Sequence, residues 1–229
     1  SCRSIADHTC RIIEQSFEGM LLRIDGRESW SGLIGQHNAY NLLALYTTAV
    51  TLGAEPEETL IAMSALKPAP GRLENIRGPK DISVIIDYAH TPDALYNLLD
   101  TLCKIRKCNE RIVLVFGCGG DRDKSKRAKM GEIAARYADK IIVTADNSRS
   151  EKTSDIISEI VRGIGGAEHT VIEDRAEAIE YAVKTAKSGD IIVLAGKGHE
   201  EYEIDSRGKH SFSEKNIAAA AARKYSIEK

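Results

Sequence analysis

This 229-residue sequence has no long apolar run, no paired-cysteine motif and no marked excess of either charge. No stretch approaches the ~20 apolar residues that span a bilayer, and the opening SCRSIADHTC lacks the charged-then-apolar profile of a signal peptide. A cytoplasmic protein with no membrane partner is therefore expected. The formal net charge of -2 sets up no broad field for nucleic acid, so no such partner is expected, and any anion must be captured by local groups. Cys2, Cys10, Cys103, Cys108 and Cys118 form no CxxC pair and have no His at zinc-finger spacing, which favours reduced thiols over a structural disulfide. There is no internal repeat or low-complexity tract, and the length suits one large domain or two modest ones.

What is present divides at a break. Arg11 to Ile24 reads as sheet material with no evident first partner, as though the chain were entered midway, so a fragment is expected. From Gly35 apolar residues recur at helical spacing through Leu42, Leu43, Tyr46 and Val50, stopping at Gly53. Pro56 with Glu57 and Glu58 behind it suits the first turn of a second helix, which ends before Pro68 and Pro70. The stretch from there through GRLENIRGPKD reads as a linker, giving a mainly helical leader over 1–78 and a second domain over 79–229. In that domain strands and helices alternate. Strands are expected at Ile82 to Asp87, Arg111 to Phe116, Lys140 to Ala145, Thr170 to Asp174 and Asp190 to Ala195. Four of them are continuous apolar runs, as a sheet covered on both faces requires. Helices fall at Pro92 to Ile105, Lys126 to Tyr137, Ser154 to Arg162 and Ala176 to Lys187. A hairpin with Arg207-Gly208 at its tip and an alanine-rich helix close the chain. The fold class is thus α/β, with a Rossmann-like, open, mostly parallel sheet.

In such sheets ligands sit outside the carboxyl ends of the strands, and four of the loops there carry chemistry. The first strand ends in Asp87-Tyr88-Ala89-His90-Thr91-Pro92, a carboxylate, an imidazole and a hydroxyl where a helix begins, although Thr91 and Pro92 also suit a plain helix cap. The second runs into GCGGDRDKSKR, whose glycines free the backbone to turn around a ligand while Arg122, Lys124, Lys126 and Arg127 offer charge to a carboxylate or phosphate. It is neither a P-loop, which would need Gly where Asp123 stands, nor a dinucleotide fingerprint; a solvated turn is the bland alternative. The third ends in Asp146-Asn147-Ser148-Arg149, an Asx turn or a grip for a carboxylate. The last is followed by Gly196-Lys197-Gly198-His199-Glu200, where Glu200 can receive an ammonium group and His199 suits a structural hydrogen bond.

Taken as an ordered set, DYAHTPDAL, GCGGDRDKSKR, DN-x-R and GKGHE-x-Y resemble the C-terminal domain of the MurE family, the ligases that add the third residue of the peptidoglycan stem peptide. The leader's Gly35, Asn38 and Asn41, followed by Pro70, Gly71, Arg72 and Glu74, resembles the end of that family's central ATPase domain. The resemblance implies a reaction in which ATP, with Mg2+, phosphorylates the carboxyl of UDP-N-acetylmuramoyl-L-alanyl-D-glutamate and an incoming amino acid attacks the acyl phosphate. Carried over by motif, Asn41, Arg72, Asp87 and His90 would face ATP, and Arg122, Asp146, Asn147, Arg149, Gly196 and Glu200 would hold the amino acid. Arg149 at the end of the third loop implies meso-diaminopimelate, whose distal carboxylate needs a cation. Ser148 stands where the family usually has Pro. A retained charge-assisted bond of ~1.5 to 3 kcal/mol outweighs a freed backbone position of roughly 0.4 to 1. A monomer is expected, with no catalytic residue of its own, since nothing before Gly19 supplies the family's phosphate loop or magnesium ligands. A lysine-adding relative, a folylpolyglutamate-like ligase, disfavoured by Thr91, and a non-catalytic amino-acid-binding module remain open.

Overall fold

The computed structural model describes residues 6–78 and 81–226. Cys2 and the linker residues Pro79 and Lys80 lie outside them. The chain falls into two compact units, Ser1–Ala69 and Pro70–Lys229.

The first unit holds more sheet than its sequence suggested. β1 (Cys10–Ser16), β2 (Gly19–Ile24) and β3 (Arg27–Ser31) form an antiparallel meander, so the Arg11 to Ile24 segment is its own first partner. Asp25 and Gly26 join β2 to β3 with φ of 46° and 82°, the twist-matched two-residue turn that an Asp-Gly pair allows. Met20, Leu22 and Ile24 alternate onto one face of β2 and pack with Cys10 against Ala39, Leu42, Leu43 and Tyr46 of α1 (Gln36–Thr51) and Leu60 and Met63 of α2 (Pro56–Ser64).

The second unit is built on a six-stranded sheet. Its strands are β4 (Glu74–Arg77), β5 (Ser83–Asp87), β6 (Ile112–Phe116), β7 (Lys140–Val143), β8 (His169–Val171) and β9 (Ile191–Ala195), in the order β4-β5-β9-β6-β7-β8. All pairs are parallel except β4 with β5. The stretch expected as linker thus contributes an edge strand, and the second unit begins at Pro70 rather than after residue 78.

The chain runs outward through α3 (Pro92–Ile105), α4 (Ser125–Tyr137) and α5 (Thr153–Ile164), then returns by α6 (Arg175–Thr185) to insert β9 between β5 and β6. Val84, Ile86, Val113, Val115, Ile142, Ile192 and Leu194 face α6 and α7 (Glu214–Ser226), where Ala178, Ile179, Ala182, Val183, Ala218 and Ala221 meet them. The alternate strand positions, among them Ile85, Leu114 and Val193, are fully buried on the opposite face, the side of α3, α4 and α5. Thr91 caps α3 by accepting from the Ala94 N–H at 3.3 Å, with Pro92 at the first helical position. After β9 comes the hairpin of β10 (Tyr202–Asp205) and β11 (Gly208–Ser211).

Candidate functional site

Between the parallel strands β9 and β6 the connections part: that after β6 leads to α4 on one face, that after β9 to α7 on the other. The loops at the carboxyl ends of these strands, with those after β5 and β7 beside them, frame the crevice where open α/β sheets take their ligands.

At its floor lies a charged network that the sequence did not announce. Arg175, wholly buried at the start of α6, donates from Nη1 to Ala145 O and from Nη2 to Ala195 O, both at 2.9 Å, tying together the ends of β7 and β9. Its Nε bonds Glu214 Oε1 at 2.8 Å, an ion pair with both partners out of water. Above it Lys197 is also fully buried, donating from Nζ to Asn147 Oδ1 at 2.9 Å and Tyr202 O at 3.1 Å, with Asp146 Oδ1 at 3.6 Å. Burial pulls the Lys197 ammonium below its usual range against the support of Asp146. Burial also acts to raise Asp146, but Arg175 and Lys197, helped by the Asn147 N–H, outweigh it and hold the carboxyl below the usual range. Glu203 is pushed up by burial despite the same two cations.

On this floor stand the residues expected to hold an amino acid. Asn147 Nδ2 donates to Glu200 Oε2 at 2.9 Å, so the third and last loops are joined by a direct bond. Glu200 Oε1 lies 3.5 Å from the Tyr88 hydroxyl, which brings the first loop to the same carboxylate. Burial and then the Glu200 charge raise the Tyr88 phenol. Arg149, at φ 53°, sends Nη1 to Gly120 O at 2.9 Å and Asn147 O at 3.1 Å, while its Nε and Nη2 make no hydrogen bond among the described residues. Arg122 is exposed and reaches back to Asp121 O, at 3.1 Å. Gly196 takes φ 124°, with its N–H on Asp87 O at 3.0 Å, and a Cβ there would sit 3.4 Å from Asp146 Oδ2.

The cations of the second loop divide. Arg127, expected to offer its charge to a ligand, is fully buried and paired with Glu151 at 2.9 Å and Glu159 at 3.0 Å; Lys124 meets Glu151 at 3.0 Å. Both serve the fold, because α4 carries Arg127 inward onto α5. Lys126 Nζ donates to His90 O at 2.8 Å, pinning the second loop to the first.

Of the residues expected on the ATP side, Arg72 is exposed and lies over the Tyr88 ring at 4.8 Å, while His90 Nδ1 donates to Tyr88 O at 2.8 Å. Asp87 is buried and its two oxygens accept the N–H groups of Leu73 and Ala89, each at 2.8 Å, which fixes the backbone beside Arg72. Asn41 belongs to the first unit, exposed on α1, and donates to Asn38 Oδ1 at 3.4 Å. Among the described residues no cluster of His, Cys, Asp and Glu could hold a metal ion, and no helix is long and apolar enough to cross a membrane. Cys103, Cys108 and Cys118 are free thiols, the last pushed up to about 12 by burial.

Residues 71–198 match the family model described as Mur ligase, glutamate ligase domain. The chain is 45% identical over 218 residues to a UDP-N-acetylmuramoyl-L-alanyl-D-glutamate--2,6-diaminopimelate ligase of Parabacteroides distasonis, covering 94% of this chain and 45% of that protein. A protein of the same name from Chromobacterium violaceum is 44% identical over 191 residues, covering 83% and 39%. A solved structure of such a ligase superposes with a TM-score of 0.70 at 33% identity, over 97% of this chain and 46% of that one. A folylpolyglutamate synthase from Thermotoga maritima shares the fold, with a TM-score of 0.62 at 20% identity over 82% of this chain and 43% of its own. The chain spans less than half the length of the curated relatives it matches.

Proposed function

This chain belongs to the Mur ligase family, and on that premise we propose that it is the amino-acid-receiving part of an ATP-dependent ligase of peptidoglycan precursor synthesis. The ligase adds meso-diaminopimelate to UDP-N-acetylmuramoyl-L-alanyl-D-glutamate. The observation that carries this reading is the junction of Asn147 and Glu200 at 2.9 Å, with Arg149 held beside it by two backbone carbonyls. A carboxylate that can take an ammonium group thus stands next to donors for a carboxylate, which is the polarity of an amino acid.

In the proposed reaction the dipeptide's terminal carboxyl takes the γ-phosphoryl group of ATP, releasing ADP. The amine of the diamino acid attacks the acyl carbon, a C–N bond forms, and phosphate leaves with a proton lost from nitrogen. The part of these residues is to hold the amine in line, which is where positioning lowers the barrier. Arg72 over Tyr88 and the tethered His90 are the groups of this unit proposed to meet ATP, with Asp87 acting by holding the backbone beside Arg72; in the first unit, taken by itself, Asn41 is proposed as an ATP-facing residue. No described cluster fits Mg2+, and no step is assigned to it. These 229 residues carry no glycine-rich phosphate loop of the P-loop spacing, so the chain by itself is proposed to bind the diamino acid without ligating it. A monomeric, cytoplasmic setting belongs to the same proposal.

Calorimetric titration of the chain with meso-diaminopimelate and with lysine tests the reading. The diamino acid with the extra carboxylate should bind about tenfold tighter, and Arg149→Met should erase that margin, as the loss of one charge-assisted bond implies. Equal affinities in the unaltered chain would defeat the assignment of diaminopimelate. ADP release by this chain on its own would defeat the division of labour.

A further inference from the structure

An asparagine amide has two ends of nearly equal shape and opposite chemistry, one accepting and one donating. Around Asn147 the surroundings distinguish them. Lys197 Nζ and the Ile204 N–H both converge on Oδ1 at 2.9 Å, and Nδ2 is left facing Glu200 Oε2 at the same distance. Turning the amide over would set its NH2 group against two donors, one of them a buried cation, and its oxygen against a carboxylate. Both sides oppose the flip.

We propose that Lys197 is a positioning residue of the amino-acid site: its buried ammonium, with the hairpin's Ile204 N–H, fixes Asn147 in the orientation that presents donors to Glu200 and to the ligand. The ammonium is wholly out of water, and its other neighbours are Tyr202 O, Asp146 and the Phe212 ring, so it has no part in meeting the ligand itself. The glycines on either side allow this. Gly198 takes φ 54° and passes so close to Tyr88 that a Cβ would lie 2.7 Å from the Tyr88 Cβ, which lets the lysine stem turn inward from an otherwise surface-facing loop. Through this residue the hairpin after β9, which carries none of the expected ligand groups, helps set the polarity of the loop after β7.

The proposal rests on the proposed function only in taking Asn147 and Glu200 as ligand-facing; the amide orientation is measured without ligand. Proton exchange at the Asn147 side-chain amide, followed by NMR, should speed by about tenfold in Lys197→Met, the effect of losing one charge-assisted bond. Affinity for meso-diaminopimelate should weaken by about the same factor while the sheet's amide signals stay in place. Asn147→Asp supplies a second arm that does not disturb the buried lysine. There Lys197 and the Ile204 N–H hold one oxygen and the other faces Glu200, so only the protonated acid can donate. The titratable and charged groups facing that pair are Lys197 on the Asn147 oxygen, the adjoining Asp146 and Arg149, and the Tyr88 phenol on Glu200. Affinity in Asn147→Asp should therefore fall as pH rises through the shared titration of the two carboxylates. Unchanged amide exchange in Lys197→Met, or a pH-independent Asn147→Asp, would overturn the proposal; if Lys197→Met does not fold, the second arm decides. Failure of the unaltered chain to bind the diamino acid would count against the proposed function, and the exchange measurement would still judge the role of Lys197.

Discussion

In the loop after β6, backbone lies on backbone: the Gly120 N–H donates to Asn147 O at 2.9 Å, and a Cβ on Gly120 would come within 1.9 Å of Ser148 O. Its paired cations, Lys124 and the buried Arg127, meet Glu151 just before α5 and Glu159 within it, carboxylates that keep some contact with solvent. In the loop after β9 the backbone is equally tight, but what holds it is a set of side chains beneath, Lys197, Asp146, Arg175 and Glu214, all nearly out of water. The loop after β6 is therefore fixed by shape and the loop after β9 by charge. The two should fail to different substitutions.

The largest effect should come from stripping charge beneath the loop after β9. Glu214→Ala leaves Arg175 buried without its carboxylate, and breaking such a pair costs about 4 kcal/mol, read as a fall in the urea midpoint. A loss under about 1 kcal/mol would mean that the carbonyls of Ala145 and Ala195 satisfy Arg175 unaided. Next is shape in the loop after β6. Gly120→Ala must push the third loop away from Ser148 and should cost about 2 to 3 kcal/mol, whereas a neutral outcome would show that backbone contact there is slack. The smallest effect concerns acid. Arg127, the Asp121 N–H and Lys124 hold the Glu151 carboxyl at about 2, below its ordinary 4.5. A carboxylate depressed on folding stabilises above its ordinary range and loses that contribution as pH falls from 4.5 toward 2. Glu151→Gln should flatten the stability profile across that window in acid unfolding followed by circular dichroism, and an unchanged slope would remove Glu151 from the account.

The same contrast explains what could be read in the sequence. Helix α3 was legible to the residue because Thr91, Pro92 and the apolar spacing to Ile105 are all local signals. The buried parallel strands were legible as runs because both faces are covered. β3 was not: Arg27, Glu28 and Ser29 are polar, and its pairing depends on the Asp25-Gly26 turn. β4 escaped because Glu74–Arg77 is short and lies between glycines, so the strand exists only through its partner β5. At the site, Asn147, Arg149 and Glu200 were singled out because polar residues after apolar strands stand out, and the structure brings the three together. Arg122 and Arg127 looked alike on paper; Arg127 lies on α4, which carries it into the interior, while Arg122 stays exposed in the loop before that helix. Lys197 and Arg175 were passed over for the same reason: a lysine between glycines and an arginine in a helix's first turn resemble surface residues until their neighbours are known.

The position of β9 has a consequence for how the molecule comes to exist. It is the last strand of the sheet in sequence and yet sits between β5 and β6, more than seventy residues after either (Ile191 against Asp87 and Phe116). During synthesis β5 and β6 leave the ribosome with no strand between them, and their facing edges stay open until residues 191–195 arrive. Long-range pairing of this kind is slow because chain closure precedes its reward. Lys197 and Glu200 follow directly behind β9, so the strand that closes the sheet also delivers the last groups of the crevice. A nascent chain that stops before Ile191 has neither a closed sheet nor a site.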